Sequence, residues 1–181
     1  ANSNFTAKRI KKYWGLNSTV IHPAINTKRF DFKKNREEFY LTVNRLVPNK
    51  RIDLLIKSFN KLNLPLIIIG DGIEYKKLKK LANANIKLLG KQSDEVVEDL
   101  MSRCRAFVYS GIEDFGIAPV EAMASGAPII ALRKGGILDT VSCITNCSVK
   151  DYPTGVLFDN QTKEDICDTL SWFEDKKIWK N

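Results

Sequence analysis

Apolar residues along this chain keep two rhythms. Short runs rich in β-branched residues, at 19–22, 39–43, 66–69, 86–89, 106–109, 129–132 and 155–158, predict strands. Between them apolar residues return every three or four positions, which predicts helices over 5–14, 52–62, 75–82, 94–103, 118–124, 138–142 and 163–174. In the second of these helices Ile52, Leu55, Ile56, Phe59 and Leu62 share one face, the face that packs on a sheet. The run Leu66, Ile67, Ile68, Ile69 has no polar alternation, as a central strand covered on both sides requires. Ser3 stands where a capping residue opens the first helix, and Gly15 where it stops. Strands alternating with helices, joined by connections rich in Gly, Asp and Asn, predict an α/β fold. The expectation is a Rossmann-like, doubly wound parallel sheet in one domain, 1–181, without internal repeats or linkers.

Composition narrows the class without changing this picture. A chain of 181 residues buries about 70% of its unfolded surface, enough for a core. Hydrophobic residues at 44% and charged residues at 28% exclude disordered, collagen-like and coiled-coil readings. The longest apolar run, 64–69 with one proline inside, falls far short of the roughly 20 residues of a membrane span. The start, Ala1, Asn2, Ser3, Asn4, lacks the charged and apolar regions of a signal peptide and reads as a cut inside a longer chain.

The net charge of +8 raises a nucleic-acid or membrane-surface reading. Most of it is lysine spread over helical segments, as at Lys8, Lys11, Lys12 and at Lys76, Lys77, Lys79, Lys80, where solvated faces account for it. No aromatic and basic platform for RNA accompanies it, so no nucleic-acid partner is expected. Cys104, Cys143, Cys147 and Cys167 form neither a disulfide framework nor a CxxC pair, and the one histidine, His22, is distant in sequence. Reduced thiols and no metal site are expected.

In a doubly wound sheet the ligand lies beyond the carboxyl ends of the strands, which directs attention to the loops 44–51, 70–74, 90–94, 110–117 and 133–137. Arg45 and Lys50, at the two ends of the first loop, can converge on a phosphate near a helix N-terminus. Glu113 lies in the fourth loop, and Glu121 about one turn into the helix that Pro119 helps to start. Each carboxylate can accept two hydrogen bonds from adjacent sugar or ribose hydroxyls. Between them the amides of Phe115, Gly116 and Ile117 are available to a phosphate or a sugar oxygen. The turns Gly70, Asp71, Gly72 and Lys134, Gly135, Gly136 permit close backbone approach to a ligand. Taken singly each feature also fits ordinary loop chemistry: solvated charges, turn glycines, a glutamate at a helix start. Neither glycine turn is a GxGxxG fingerprint or a Walker loop, so hydride transfer and ATP hydrolysis lack their motifs.

Together and in order, these pieces resemble the carboxyl-terminal half of a family 4 retaining glycosyltransferase of GT-B architecture. The matching text is LTVNRLVPNKRID at 41–53, IGDG at 69–72, LGKQSD at 89–94, EDFGIAPVEA at 113–122, the glycine pair at 135–136, and TGVLF at 154–158. The resemblance implies that Arg45 and Lys50 hold the donor diphosphate and stabilise the charge that develops as it leaves. It gives Glu121 the ribose hydroxyls, Glu113 the hydroxyls of the transferred sugar, and the amides of Phe115, Gly116 and Ile117 a sugar or phosphate contact. Leu89, Gly90 and Lys91 would flank the base, and Gly135 and Gly136 would belong to the same donor site. Asn44 stands where the family usually has glycine, a mild departure because Asn tolerates the left-handed conformation. Asp139 stands where an acidic residue, more often Glu, follows the glycine pair.

VIHPAI at 20–25 and EDFGIAPVE at 113–121 are most similar to mannosyltransferases of bacterial and archaeal surface-polysaccharide assembly. GDP-mannose is therefore the favoured donor, with UDP- and ADP-sugars as alternatives and no separate cofactor. His22 is placed to reach the cleft, although a lone strand histidine is more often structural. The resemblance further implies a missing amino-terminal domain that holds a glycan or lipid-linked acceptor, so that the fragment alone binds donor weakly and transfers nothing. The implied setting is cytoplasmic, with the basic surface able to dock peripherally on the inner face of an anionic membrane. Two other classes stand beside this reading: a basic nucleic-acid-binding module, and pyridoxal-dependent phosphorolysis, for which no lysine has a recognisable context.

Overall fold

The structure is a computed structural model and describes residues 1–32, 35–145 and 152–178. Six strands, β1 (Tyr40–Val43), β2 (Leu66–Ile69), β3 (Ile86–Gly90), β4 (Ala106–Tyr109), β5 (Ile129–Leu132) and β6 (Gly155–Phe158), form one sheet. All neighbours pair in parallel. Their spatial order is β3, β2, β1, β4, β5, β6, which is the doubly wound order. The α-helices among the described residues are α1 (Asn4–Trp14), α2 (Ile52–Leu62), α3 (Tyr75–Leu81), α4 (Asp94–Arg103), α5 (Ile117–Ala124) and α6 (Lys163–Lys176).

Successive residues of each strand point to opposite faces, and both faces are covered, so the strands are apolar throughout. On one face Tyr40, Leu66, Ile68, Val108 and Ile130 pack with α2 and α6 residues such as Leu55, Phe59, Leu170 and Phe173. On the other, Leu41, Phe107, Tyr109, Ile129 and Ala131 pack with Leu100 and Met101 of α4 and Ala122 of α5. The α2 face predicted from spacing is the buried one: Ile52, Leu55, Ile56 and Phe59 are fully enclosed.

Two predicted elements are not formed. Residues 19–22 are not a strand: Thr19, Ile21 and His22 are exposed, and the segment pairs with the chain start rather than the sheet. Ala1 donates to the Thr19 carbonyl at 2.7 Å, and Ile21 N–H to the Ala1 carbonyl at 2.8 Å. Residues 138–142 are not a helix. A short 3₁₀ turn over Gly136–Asp139 closes on itself, Thr140 bonding the Ile137 carbonyl through both its amide and its hydroxyl. The chain is then drawn to the sheet, where Cys143 bridges Gly155 in parallel.

The capping signals at α1 hold. Ser3 Oγ accepts from Thr6 N–H at 3.0 Å, and Gly15, in the left-handed region at φ 71°, donates to the Lys11 carbonyl. Cys104, Cys143 and Cys167 are buried, Cys104 and Cys167 as free thiols; Cys147 lies outside the described residues.

Candidate functional site at the reversal of strand order

Strand order reverses between β1 and β4, and there the connections leave in opposite directions and open a crevice. A cavity of about 560 Å³ occupies it, lined by the loop after β1, the loop after β4 and the first turn of α5. The chemistry-bearing residues of the two longest motifs thus meet because topology brings their loops together.

The loop after β1 is held from below. Its amides Asn44 and Leu46 donate to the carbonyls of Ile69, the last residue of β2, and of Asp71 in the turn that follows, and Glu74 N–H returns to the Leu46 carbonyl. A Cβ at Gly70 would lie 1.8 Å from the Asn44 carbonyl oxygen, and one at Gly72 would lie 2.3 Å from that of Leu46. The close approach allowed by these glycines is therefore to this loop, not to a ligand. Asn44 does not use the left-handed conformation; its Nδ2 donates to Thr42 Oγ1 at 2.8 Å. A 3₁₀ turn over Pro48–Lys50 follows, and Arg51 enters α2 with φ 52°, its Nε bonded to Asp53.

The loop after β4 is stitched to the first one at Lys50. Ser110 Oγ donates to the carbonyls of Lys50 at 2.9 Å and Arg51 at 3.0 Å, and Gly111 would place a Cβ 3.3 Å from Lys50 Cα. Gly135 and Gly136 press on the far side of this loop. Gly136 N–H donates to the Glu113 carbonyl at 2.8 Å, and a Cβ on Gly136 would meet the Asp114 carbonyl oxygen at 2.3 Å. The glycine pair thus packs on the Glu113 backbone and does not line the cavity.

At the centre Lys50 Nζ forms an ion pair with Glu113 Oε1, and the same oxygen accepts a hydrogen bond from Tyr109 Oη. Lys50 Nζ also lies 3.5 Å from Tyr109 Oη. The Lys50 side chain is 13% exposed and that of Glu113 32%. Burial, and then the neighbouring Arg45 guanidinium, draw the Lys50 ammonium below the ordinary lysine value. Burial pushes the Tyr109 phenol well above its usual value. Arg45 is exposed on the cavity wall, so the site offers one guanidinium at its mouth and one ammonium deeper in.

Phe115 is buried and its ring stacks on His22, with centroids 5.5 Å apart and planes at 26°. His22 Nδ1–H donates to the Asn2 carbonyl at 3.1 Å, a structural use of the imidazole. Gly116, at φ 91°, opens α5 without a side-chain cap. The first turn of α5 thus presents its amides and the positive end of its dipole to the cavity beside Lys50.

Glu121 does not line this cavity. It is half-buried near α4, where burial raises its carboxyl above the ordinary value against the opposing pull of Arg29. Arg29 is itself held by Glu98 at 2.9 Å and Asp94 at 3.0 Å. Leu89 and Gly90 end β3, two strands from the reversal, Lys91 follows them, and all three lie outside the lining.

Asp139 has a definite partner: its Oδ2 accepts from the backbone N–H of Asn4 at 2.6 Å and from Asn4 Nδ2 at 3.3 Å. Arg9 donates to Asp114 Oδ1 at 2.6 Å, and Ser3 Oγ to the Asp114 carbonyl. Helix α1 is therefore latched to the loop that carries Glu113.

Sequence reasoning missed Tyr109, which reads as one more buried aromatic in an apolar strand. The available signal was its place at the carboxyl end of β4, four residues before Glu113.

Residues 24–180 match the family described as Glycosyl transferases group 1. Among curated relatives, the chain is 35% identical over 127 residues to the uncharacterised glycosyltransferase MJ1178 of Methanocaldococcus jannaschii, covering 67% of this chain and 36% of that protein. It is 27% identical over 212 residues to the alpha-1,3/1,6-mannosyltransferase ALG2 of Saccharomyces cerevisiae, covering 86% and 42%. It is 28% identical over 180 residues to the GDP-mannose-dependent monoacylated alpha-(1-6)-phosphatidylinositol monomannoside mannosyltransferase of Corynebacterium glutamicum, covering 82% and 47%. The chain spans less than half the length of these relatives. Among solved structures, Anabaena Alr3699/HepE in complex with UDP and glucose superposes with a TM-score of 0.82 at 20% identity, covering 99% of this chain and 54% of that one. The six-stranded parallel sheet is accordingly the Rossmann-like unit found in GT-B enzymes. With a family match that takes in both loops of the crevice and the strands that aim them, the chain belongs to the group 1 glycosyltransferases.

Proposed function

We propose that this chain is the donor-binding, carboxyl-terminal part of a hexosyltransferase that moves mannose from GDP-mannose, with retention, onto a growing glycan or glycolipid. The observation that carries the reading is the meeting of Lys50 and Glu113 at the strand-order reversal, a cation for phosphate beside a carboxylate for sugar hydroxyls. Arg45 and Lys50 would neutralise the diphosphate most strongly as its leaving oxygen gains charge, which is electrostatic stabilisation of the transition state. The uncapped amides at the start of α5, from Phe115, Gly116 and Ile117, would take a phosphate or sugar oxygen. Glu113 would accept from hydroxyls of the transferred sugar and orient it, and Glu121 would accept from the ribose. Leu89, Gly90 and Lys91 would lie against the base. No metal or further cofactor enters this scheme.

Mannose and GDP are favoured because the relatives include several mannosyltransferases, one of them named as GDP-mannose-dependent. A UDP donor is the second reading, favoured by the UDP-bound HepE neighbour. A chain of less than half its relatives' length is expected to bind donor weakly and to transfer nothing alone, the acceptor being held elsewhere in a longer protein. A cytoplasmic setting with peripheral membrane contact belongs to the same reading.

The test is a thermal-shift and calorimetric panel of GDP, UDP, ADP and their mannose or glucose conjugates, with Glu121→Ala as control. Selective stabilisation by one diphosphate, lost in the control, supports the reading and identifies the base. No response from this chain or from the full-length protein would overturn it.

A further inference from the structure

Glu113 has two partners, and a donor would compete for only one of them. Its Oε1 accepts from Lys50 Nζ and from Tyr109 Oη. Lys50 sits on a loop, with an ammonium that any incoming diphosphate would attract, so binding draws that partner away. A carboxylate left with 32% exposure and no anchor would be free to rotate, and would orient a sugar poorly. Tyr109 differs in kind. It is 4% exposed, and its backbone is fixed in β4 opposite Ala131 of β5.

We infer that Tyr109 is the positioning residue for Glu113: its hydroxyl keeps the carboxylate aimed into the cavity after the donor's phosphate has taken Lys50. The ammonium is thus handed from protein to ligand while the carboxylate stays in place. Burial keeps the phenol protonated, and therefore a donor, over the whole neutral range. Gly111 lies against both groups: a Cβ there would meet Lys50 Cα at 3.3 Å and Tyr109 Cε1 at 3.5 Å. The inference rests on the donor-site reading above and adds to it a residue with no expected contact to the phosphate.

The test compares Tyr109→Phe with wild type in calorimetric titrations against the diphosphate and the nucleotide sugar selected by the panel above, GDP and GDP-mannose on our reading. The variant should leave the GDP dissociation constant within about twofold and weaken GDP-mannose by about five- to tenfold, less than the full worth of a hydrogen bond to a charged group because Tyr109 acts through Glu113. In a Glu113→Gln background the same substitution should add less than about twofold, because the anchored group is gone. Equal weakening of both ligands would mark a general structural role and overturn the inference, as would no change in either. Should the variant not fold, the wild-type chain gives an independent readout through carboxyl ¹³C-labelled glutamate, with Glu113→Gln for assignment. The Glu113 resonance should stay apart from those of solvated glutamates when GDP binds; its merging with them would overturn the inference. A full-length wild-type protein that binds neither ligand overturns the donor-site reading itself, a failure visible before any variant is made.

Discussion

Ser110 Oγ donates to the carbonyl of Lys50 at 2.9 Å, so the last turn of one half of the sheet grips the loop of the other across the line where strand order reverses. The same hydroxyl lies 3.0 Å from the Arg51 carbonyl. Ser110→Ala removes the donor from both while leaving the carbonyls part-buried, which should cost about 1–3 kcal/mol. Chemical denaturation measures that loss. Diphosphate affinity should fall with it by several-fold, because the backbone of Lys50 is no longer held against β4.

Lys50→Ala separates phosphate from nucleoside. Loss of a charge-assisted hydrogen bond worth about 1.5–3 kcal/mol predicts about 10- to 100-fold weaker binding of the nucleoside diphosphate. The nucleoside alone should bind within about twofold of wild type. Equal losses for the two ligands would remove Lys50 from the phosphate.

Alkaline pH should release the diphosphate earlier than an ordinary lysine would. The Lys50 ammonium is held below the normal value of 10.5 by burial and by Arg45, and a bound phosphate would raise it again. Affinity is then complete below the free-site value and declines as pH climbs through the window between the free and the bound values. A titration series from pH 7 upward reads the decline, and Lys50→Arg should abolish it.

Gly136→Ala should damage the site from behind. The added methyl would lie 2.3 Å from the Asp114 carbonyl oxygen and 2.4 Å from Phe115 Cα, both backbone atoms that cannot rotate aside. The strain predicts about 1–3 kcal/mol of lost stability. Nucleotide-sugar binding should suffer more than diphosphate binding, since Glu113 moves with its loop and Lys50 does not.

How far local pattern can be read is clear from particular elements. β2, β4, β5 and β6 occupy the predicted runs 66–69, 106–109, 129–132 and 155–158, because a strand buried on both faces is an unbroken apolar word bounded by polar residues, proline or glycine. Residues 19–22 have the same spelling, but no strand lies beside them, and a strand exists only through its neighbour. Residues 138–142 failed for a related reason, the pull of Gly155 on Cys143 outweighing local helix preference. Of the site, Arg45, Lys50, Glu113, Phe115, Gly116 and Ile117 were legible and do line one cavity. What could not be read was which loop presses on which. The glycines at 70, 72, 135 and 136 are neighbours of Asn44, Leu46 and Glu113 only after folding, and Tyr109 becomes more than a core aromatic only when Glu113 folds back over it.

Helix α1 has no buried residue, and its far end carries Tyr13 at 68% and Trp14 at 72% exposure. Its near end is tied by Ser3 to Asp114 and by Asn4 to Asp139, and its middle by Arg9 to Asp114. A helix of 11 residues is about 16 Å long, so the free end of α1 stands well beyond its ties to the residue next to Glu113. A partner that tilted the aromatic end would load the loop at Asp114, where Arg9 and Ser3 hold it. The contacts of α1 thus reach the loop one residue from the carboxylate of the crevice.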